Sequence, residues 1–403
     1  MKNRLKSLDF FRGFALMFVV FFHTAVYNYA NINKIDFSNP PIVVVLISFL
    51  VLWGGFFILC SGFINTLMIS RRVKGNSNRK VFKYLFIASG IYIAIHYILN
   101  IFLGRWANDF VNNQPDMTVV AGSMRGGHLI FPTIAKFFEG SSISTIAFNL
   151  LIVSALLLFL FKNGGIKKEK RNYFILLSSG MAIMLLSFLR VPLYHFLTSS
   201  IESGNYAVAT MLSFLIANPY PLLPYLAYGL FASAIGLMYF NKRTDLLKKL
   251  MIPTGLFFFI YGLIGCLNFE KTISTPDYFW YFKTQLELGI FTLLLLFMLL
   301  FLEKRRNRPE KASFVGWFSR VSLTVYLLET LVSEILRKIS SAIIPSWNQT
   351  INGCLIFGAI NVFVWIAILF FWQKKDFKYS LEYYWVKLFK KMGKNSTKLD
   401  KPL

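Results

Sequence analysis

Asp9, Arg12 and His23 are three ionisable side chains set in an apolar run, SLDFFRGFALMFVVFFHT, at residues 7–24. Asp9 and Arg12 are one helical turn apart, so they can pair. Arg12 and His23 are eleven positions apart. At 100° per residue this leaves roughly 20° of rotation, and the two share one stripe of a helix. A rise of 1.5 Å per residue places them roughly 16 Å apart along the axis, about half a bilayer core. Histidine, with an ordinary pKa of about 6.5, exchanges a proton near neutral pH, and arginine holds anions with a fixed charge and a planar fork. Charges inside a span cost about 2.5–3.5 kcal/mol on insertion scales, so they turn toward protein or a water-filled cavity. The stripe has two readings: a base with a cation near one membrane face and a histidine near mid-membrane, or an anchor in which Arg12 snorkels to head groups and His23 packs.

The elements that must carry these residues are membrane spans. The chain has 403 residues, of which 56% are hydrophobic and 15% charged, and apolar runs of about twenty residues recur along it, which excludes a set of soluble domains. The pattern predicts an all-α, polytopic transmembrane helical bundle of about ten spans: 8–30, 41–69, 83–104, 143–162, 173–194, 219–240, 251–268, 283–303, 314–336 and 351–373. With the amino terminus inside, the inner segments hold 31 Lys and Arg and the outer loops 5, a positive-inside asymmetry that predicts cytoplasmic termini. It also accounts for most of the net charge of +25, so nucleic-acid binding is not expected. The inner lysines and arginines read either as topology and lipid contacts or as a grip on the phosphates of a cytoplasmic donor. Residues 1–373 are expected to form the membrane domain, and 374–403 a basic cytoplasmic tail with an interfacial helix, FKYSLEYYWVKLF.

Other polar positions stand out against this background. The outer loop 105–142 carries Arg105, Asp109, Asp116, Arg125 and His128; a long polar loop suits a lid or an acceptor-binding surface, or a plain connector. Residues 206–217 are too short to span and read as a re-entrant or interfacial helix. The sixth span opens with Pro219, Pro221 and Pro224 before Tyr225, and such broken backbone at membrane depth must lie against protein or water. The ninth span shows Ser322, Tyr326, Glu329 and Ser333 within an arc of about 60°, and Glu329 should point inward. Cys60, Cys266 and Cys354 lie in or beside spans and suggest packing rather than a disulfide framework. His96 and His195 read as packing or surface residues. No metal-ligand set appears at a recognisable spacing.

Leu8-Asp9, Phe11-Arg12-Gly13-Phe14-Ala15 and the ten residues between Arg12 and His23 resemble the first helix of polytopic membrane acyltransferases. That group includes heparan-alpha-glucosaminide N-acetyltransferase-like proteins and the bacterial family that O-acylates surface sugars. Phe57, Ser61, Gly62 and Phe63 look like its second helix. Pro221 to Tyr225 followed by Gly229 is similar to a Pro-Trp-x-Gly helix entry, with Tyr225 in place of Trp. SRVSLTVYLLE resembles a late helix that often reads Tyr-Leu-x-His, and Glu329 stands where that histidine would be. The tail is similar to a Gly-Pro-Leu-Glu-Trp-x-Trp-Arg ending of a further bacterial membrane family, with Ser380 and Tyr383 departing from it.

The resemblance implies a multi-pass acyltransferase of the cell (plasma) membrane. It would move an acyl group, most simply acetyl, from a cytoplasmic thioester to a hydroxyl or amine of a glycan or cell-surface polymer. Acetyl-CoA or another acyl-CoA would be the co-substrate, with no resident cofactor and no metal. His23 would be the base, Arg12 would orient it or clamp donor phosphate, and Asp9 would hold Arg12. Glu329, Tyr326, Ser322, Tyr225, Arg125 and His128 are the substrate-binding candidates. The sequence assigns no oligomeric state. Two other readings stay open: a transporter of a lipid-linked sugar or organic anion, and a non-catalytic protein of the same fold.

Overall fold

The computed structural model describes residues 5–31, 53–74, 77–109, 114–217, 219–269, 277–303 and 313–393. The first part of the expected second span (41–52), the inner segment 304–311 and the basic end 394–403 lie outside them.

The chain is all-α and polytopic. Its helices are α1 (Lys6–Val26), α2 (Trp53–Arg72), α3 (Asn78–Tyr97, continued as a π-helix over Ile98–Leu103), α4 (Val119–Gly126), α5 (Ser142–Phe161), α6 (Glu169–Leu186), α7 (Arg190–Glu202), α8 (Tyr206–Ile216), α9 (Leu222–Phe240), α10 (Thr244–Asn268), α11 (Tyr278–Phe297), α12 (Phe314–Arg320), α13 (Ser322–Ile343), α14 (Ile351–Gln373) and α15 (Leu381–Gly393). A hairpin of two three-residue strands, Ala107–Asp109 and Gln114–Asp116, precedes α4, pairing Ala107 with Asp116 and Asp109 with Gln114.

Among the described residues, nine helices are long and apolar enough to cross a membrane. The expected span at 314–336 is the exception. It breaks at Val321 (φ −123°, ψ 38°), and the following α13 has the length of a span but carries Glu329, Glu334, Arg337 and Lys338. The fifth span also runs further than its apolar stretch suggests, to Glu202, because a 3₁₀ turn at Ser187–Leu189 joins α6 to α7. Pro192 falls in the first turn of α7, where its missing N–H costs nothing. Most of the expected outer loop 195–218 is therefore helix. Residues 206–216 form an 11-residue helix too short to cross.

Two compact units divide the chain. One comprises 1–53, 98–133 and 303–403, the other 54–97 and 134–302. In the first, α1 packs on α12, α13 and α14. Gly13 makes the first contact possible, since a Cβ there would lie 1.9 Å from the Val315 carbonyl oxygen. In the second unit α2 meets α9 through Gly62, whose Cβ would stand 3.1 Å from the Cα of Gly229, as small residues at a helix crossing allow. The proline-rich entry of α9 is broken at Leu223 (φ −92°, ψ 111°). Phe159, Phe174, Phe363 and Leu267 remain exposed within spans, as side chains facing hydrocarbon should be.

The tail helix α15 also belongs to the first unit, and it caps α13. The N-cap residue of α13, Val321, has no side chain that can accept a hydrogen bond, so the first N–H groups of the helix need another partner. Glu382 supplies it: Oε1 accepts from Leu323 N at 2.6 Å and Thr324 N at 3.3 Å, and Oε2 from Thr324 Oγ1 at 2.5 Å. Burial pushes this carboxyl above the ordinary range, and the hydrogen bonds pull it back. Replacing a capping side chain by alanine costs about 0.5–2 kcal/mol. Glu382→Ala is therefore expected to lower the unfolding temperature in lipid or detergent while leaving α1 inserted, and an unchanged melting curve would refute the cap.

Candidate active site

Helix α1 ends at Val26, so His23 sits in its last turn, nearer the helix end than the mid-membrane depth expected from a span of 8–30. The end is closed by Asn28, whose Nδ2 donates to the Thr24 carbonyl at 2.8 Å, satisfying one of the orphan acceptors of the last turn. His23 therefore presents its ring beyond the packed part of α1, toward α13 and the segment that follows the π-helix.

Three elements meet at that ring. Nδ1 of His23 is hydrogen-bonded to Oε1 of Glu329 on α13. Nε2 faces Nη1 of Arg105, 3.5 Å away. The Tyr326 ring lies 6.0 Å from the imidazole, centroid to centroid. Arg105 is held over the Tyr27 ring, with its Cζ 4.3 Å from the centroid. Glu329 is buried, and its Oε2 has no hydrogen-bond partner among the described residues. The partner of His23 Nδ1 is thus Glu329, while Arg12 bonds to Ser322.

A second group of charges adjoins this one. Nε of Arg125 donates to both oxygens of Glu334 at 3.0 and 3.1 Å, and Nη2 donates to Glu334 Oε1 at 2.5 Å and to Asn28 Oδ1 at 2.7 Å. Arg337 Nε donates to the other Glu334 oxygen at 2.6 Å. The Arg125 guanidinium lies over the Trp106 ring, 4.5 Å from its centroid. One buried carboxylate therefore serves two arginines, and the fork geometry of Arg125 ties α4 to α13. His23, Glu329 and Arg105 of the first group and Asn28, Trp106, Arg125 and Glu334 of the second line one pocket, together with Thr24, Thr330 and Ser333. A polar pocket with a carboxylate–imidazole pair on one wall and guanidinium groups beside it can take a proton and hold developing negative charge.

The remaining candidates are placed elsewhere. Arg12 Nη2 donates to Ser322 Oγ at 3.2 Å and Asp9 Oδ1 accepts from Ser319 Oγ at 3.3 Å, so both reach the α12–α13 junction, and Arg12 takes Ser322 rather than Asp9 as its hydrogen-bond partner. His128 is exposed, its Nδ1 against the Gly126 carbonyl. Tyr225 belongs to the other unit, where its hydroxyl donates to Glu287 Oε2 at 3.2 Å, and Lys283 lies 3.5 Å from Glu287 Oε1. His96, also in that unit, is buried against the capping Ser141 of α5, and His195 is exposed. Among the described residues no group of His, Cys, Asp and Glu could hold a metal ion.

Reasoning from sequence missed the parts played by Arg105, Trp106, Asn28, Glu334 and Arg337. Glu334 and Arg337 carried a signal, an i,i+3 pair on a helix that already held Glu329. Lys283 and Glu287 carried the equivalent i,i+4 signal in the eighth span. Nothing in the order of residues marks Arg105 out from the other charges of its loop.

The sequence model described as an acyltransferase domain matches residues 5–372. No curated protein matches the chain.

Proposed function

The chain belongs to the acyltransferase domain family and is a multi-pass membrane acyltransferase, and from that premise we propose that it transfers an acetyl group from cytoplasmic acetyl-CoA to a hydroxyl or amine of a glycan or surface polymer. The observation that carries this reading is the His23–Glu329 pair on the wall of a polar pocket. A carboxylate only accepts, so its partner nitrogen Nδ1 carries the imidazole proton and Nε2 keeps its lone pair. Nε2 takes the proton of the attacking hydroxyl or amine as that group bonds to the thioester carbonyl carbon. When the tetrahedral species collapses, the C–S bond breaks and the same proton passes from Nε2 to the departing thiolate. Glu329 fixes the ring and stabilises the imidazolium between the two transfers. Its carboxylate plays the part of the third member of a triad.

Arg12 lies roughly 16 Å from His23 along α1, too far to orient the ring. Its place near the basic, cytoplasmic end suits the phosphates of the donor, whose long pantetheine arm would carry the thioester toward His23. The plasma membrane is the setting in which a cytoplasmic thioester and a surface polymer lie on opposite sides of one protein.

The test uses purified protein in lipid with acetyl-CoA labelled in the acetyl group. Consumption of the donor and movement of label into a glycan fraction are expected, both above a protein-free control. A protein that neither binds nor consumes the donor, but moves a sugar or organic anion across vesicles in a His23-dependent manner, would be a transporter instead.

A further inference from the structure

Arg105 is the residue of the pocket that the proton-transfer scheme leaves without a task. It comes from neither of the helices that carry the His23–Glu329 pair. It follows the π-helix of α3, and its backbone is fixed just before the side chain: Gly104 N donates to the Leu99 carbonyl at 2.6 Å, and the Gly104 carbonyl accepts from Thr118 Oγ1. The Tyr27 ring supports the guanidinium from α1's end. So a side chain with four flexible torsions is held at both its root and its head, and its head faces the one lone pair of His23.

That juxtaposition has a chemical consequence. An acceptor hydroxyl or amine must approach Nε2 to give up its proton, and it enters the space bordered by the guanidinium. The carbonyl it attacks is then within reach of the same N–H groups. A position about 3 Å from both a base and a cationic donor is where a reacting centre belongs. Arginine offers up to five donors and no acceptor, and keeps its charge at every working pH.

Resting on the acyl-transfer reading above, we propose that Arg105 is a catalytic residue that stabilises the oxyanion of the tetrahedral intermediate. As the acceptor oxygen or nitrogen bonds to the carbonyl carbon, the C=O electron pair moves onto oxygen, and Arg105 donates to that oxygen. When the pair returns to re-form C=O, the C–S bond breaks and the thiolate leaves with the proton held by His23. No oxidant or further reactant is involved.

The experiment compares wild type, Arg105→Gln and Arg105→Lys in lipid, with steady-state acetyl-CoA consumption against a defined acceptor. Removing one oxyanion donor costs about 10²–10³ in kcat, and an interaction made only in the transition state leaves KM unchanged. Arg105→Gln is therefore expected to lose about that factor in kcat at wild-type KM for the donor, and added guanidinium ion is expected to restore part of it. A packing role would show no rescue. Arg105→Gln with wild-type kcat, or with a raised KM and intact kcat, overturns the proposal while the acyl-transfer reading stands. A wild type that consumes no donor overturns both. If the glutamine variant is not recovered folded, the lysine variant carries the test. Its shorter, non-planar head cannot reproduce the fork and should lower kcat, and wild-type kcat in that variant overturns the proposal.

Discussion

His23→Ala is expected to lower acyl transfer by about 10²–10⁴-fold, the usual cost of losing a positioned base, in a protein that still inserts and folds. His23 borders the pocket, with 14% of its side chain exposed, so the substitution enlarges an existing pocket rather than opening a new cavity in the core. Donor binding should persist, because the phosphates are assigned to the far end of the helix near Arg12. Glu329→Gln should be nearly as damaging, for a different reason. Its amide can present N–H to Nδ1, which forces the proton onto Nε2 and removes the lone pair the reaction needs; an equivalent change in a serine-protease triad costs about 10⁴. Acetyl transfer at the wild-type rate in His23→Ala would end the catalytic assignment, and an insoluble His23→Ala would show that the residue holds the fold instead.

Glu334→Ala carries the largest expected effect on stability. The carboxylate is 2% exposed and serves Arg125 and Arg337, whose side chains are 17% and 20% exposed. Removing one partner of a buried pair costs about 3–5 kcal/mol because the other charge is stranded; here two are stranded, each with some access to water, which favours the lower end. The expected result is a large fall in unfolding temperature and release of α4. Combining it with Arg125→Leu should cost less than the sum of the two single changes, since the double variant strands one charge fewer. Additive losses in that cycle would mean that the two residues do not act as a pair.

Both variants also mark what could and could not be read from the order of residues. The Arg12–His23 stripe and the inward Glu329 follow from helical periodicity and the cost of charge in lipid, which are local properties of one helix. The pairing of His23 with Glu329 is a contact between residues 306 apart, and no local rule assigns it. A glutamate where the resembled late helix often has a histidine reads, from sequence, as a departure from that pattern. In the fold it is the hydrogen-bond partner of His23, the role the proposed mechanism gives to the group that orients the base. Arg125 and His128 share the short stretch RGGH, yet the first is built into the charge network and the second faces outward. The turn that separates them, with Gly127 at φ 74°, is a backbone choice that does not reveal which neighbour is buried. The break in the ninth expected span is hidden for a similar reason, because Val321 is an ordinary apolar residue and the stop comes from its backbone.

The separation of 306 residues between His23 and Glu329 is also a delay. A ribosome adding about 5–20 residues per second needs about 15–60 s to reach Glu329 after His23 has entered the membrane. Throughout that interval the first helix holds an arginine and a histidine in the bilayer without the late helices that will receive them. Within α1 itself the partner one turn from Arg12 is Asp9, so the nascent helix can satisfy locally what the finished protein satisfies through Ser322 and Ser319. The His23–Glu329 pair is consequently among the last things the cell builds in this molecule, and a chain stalled before α12 is an inserted membrane protein that lacks it altogether.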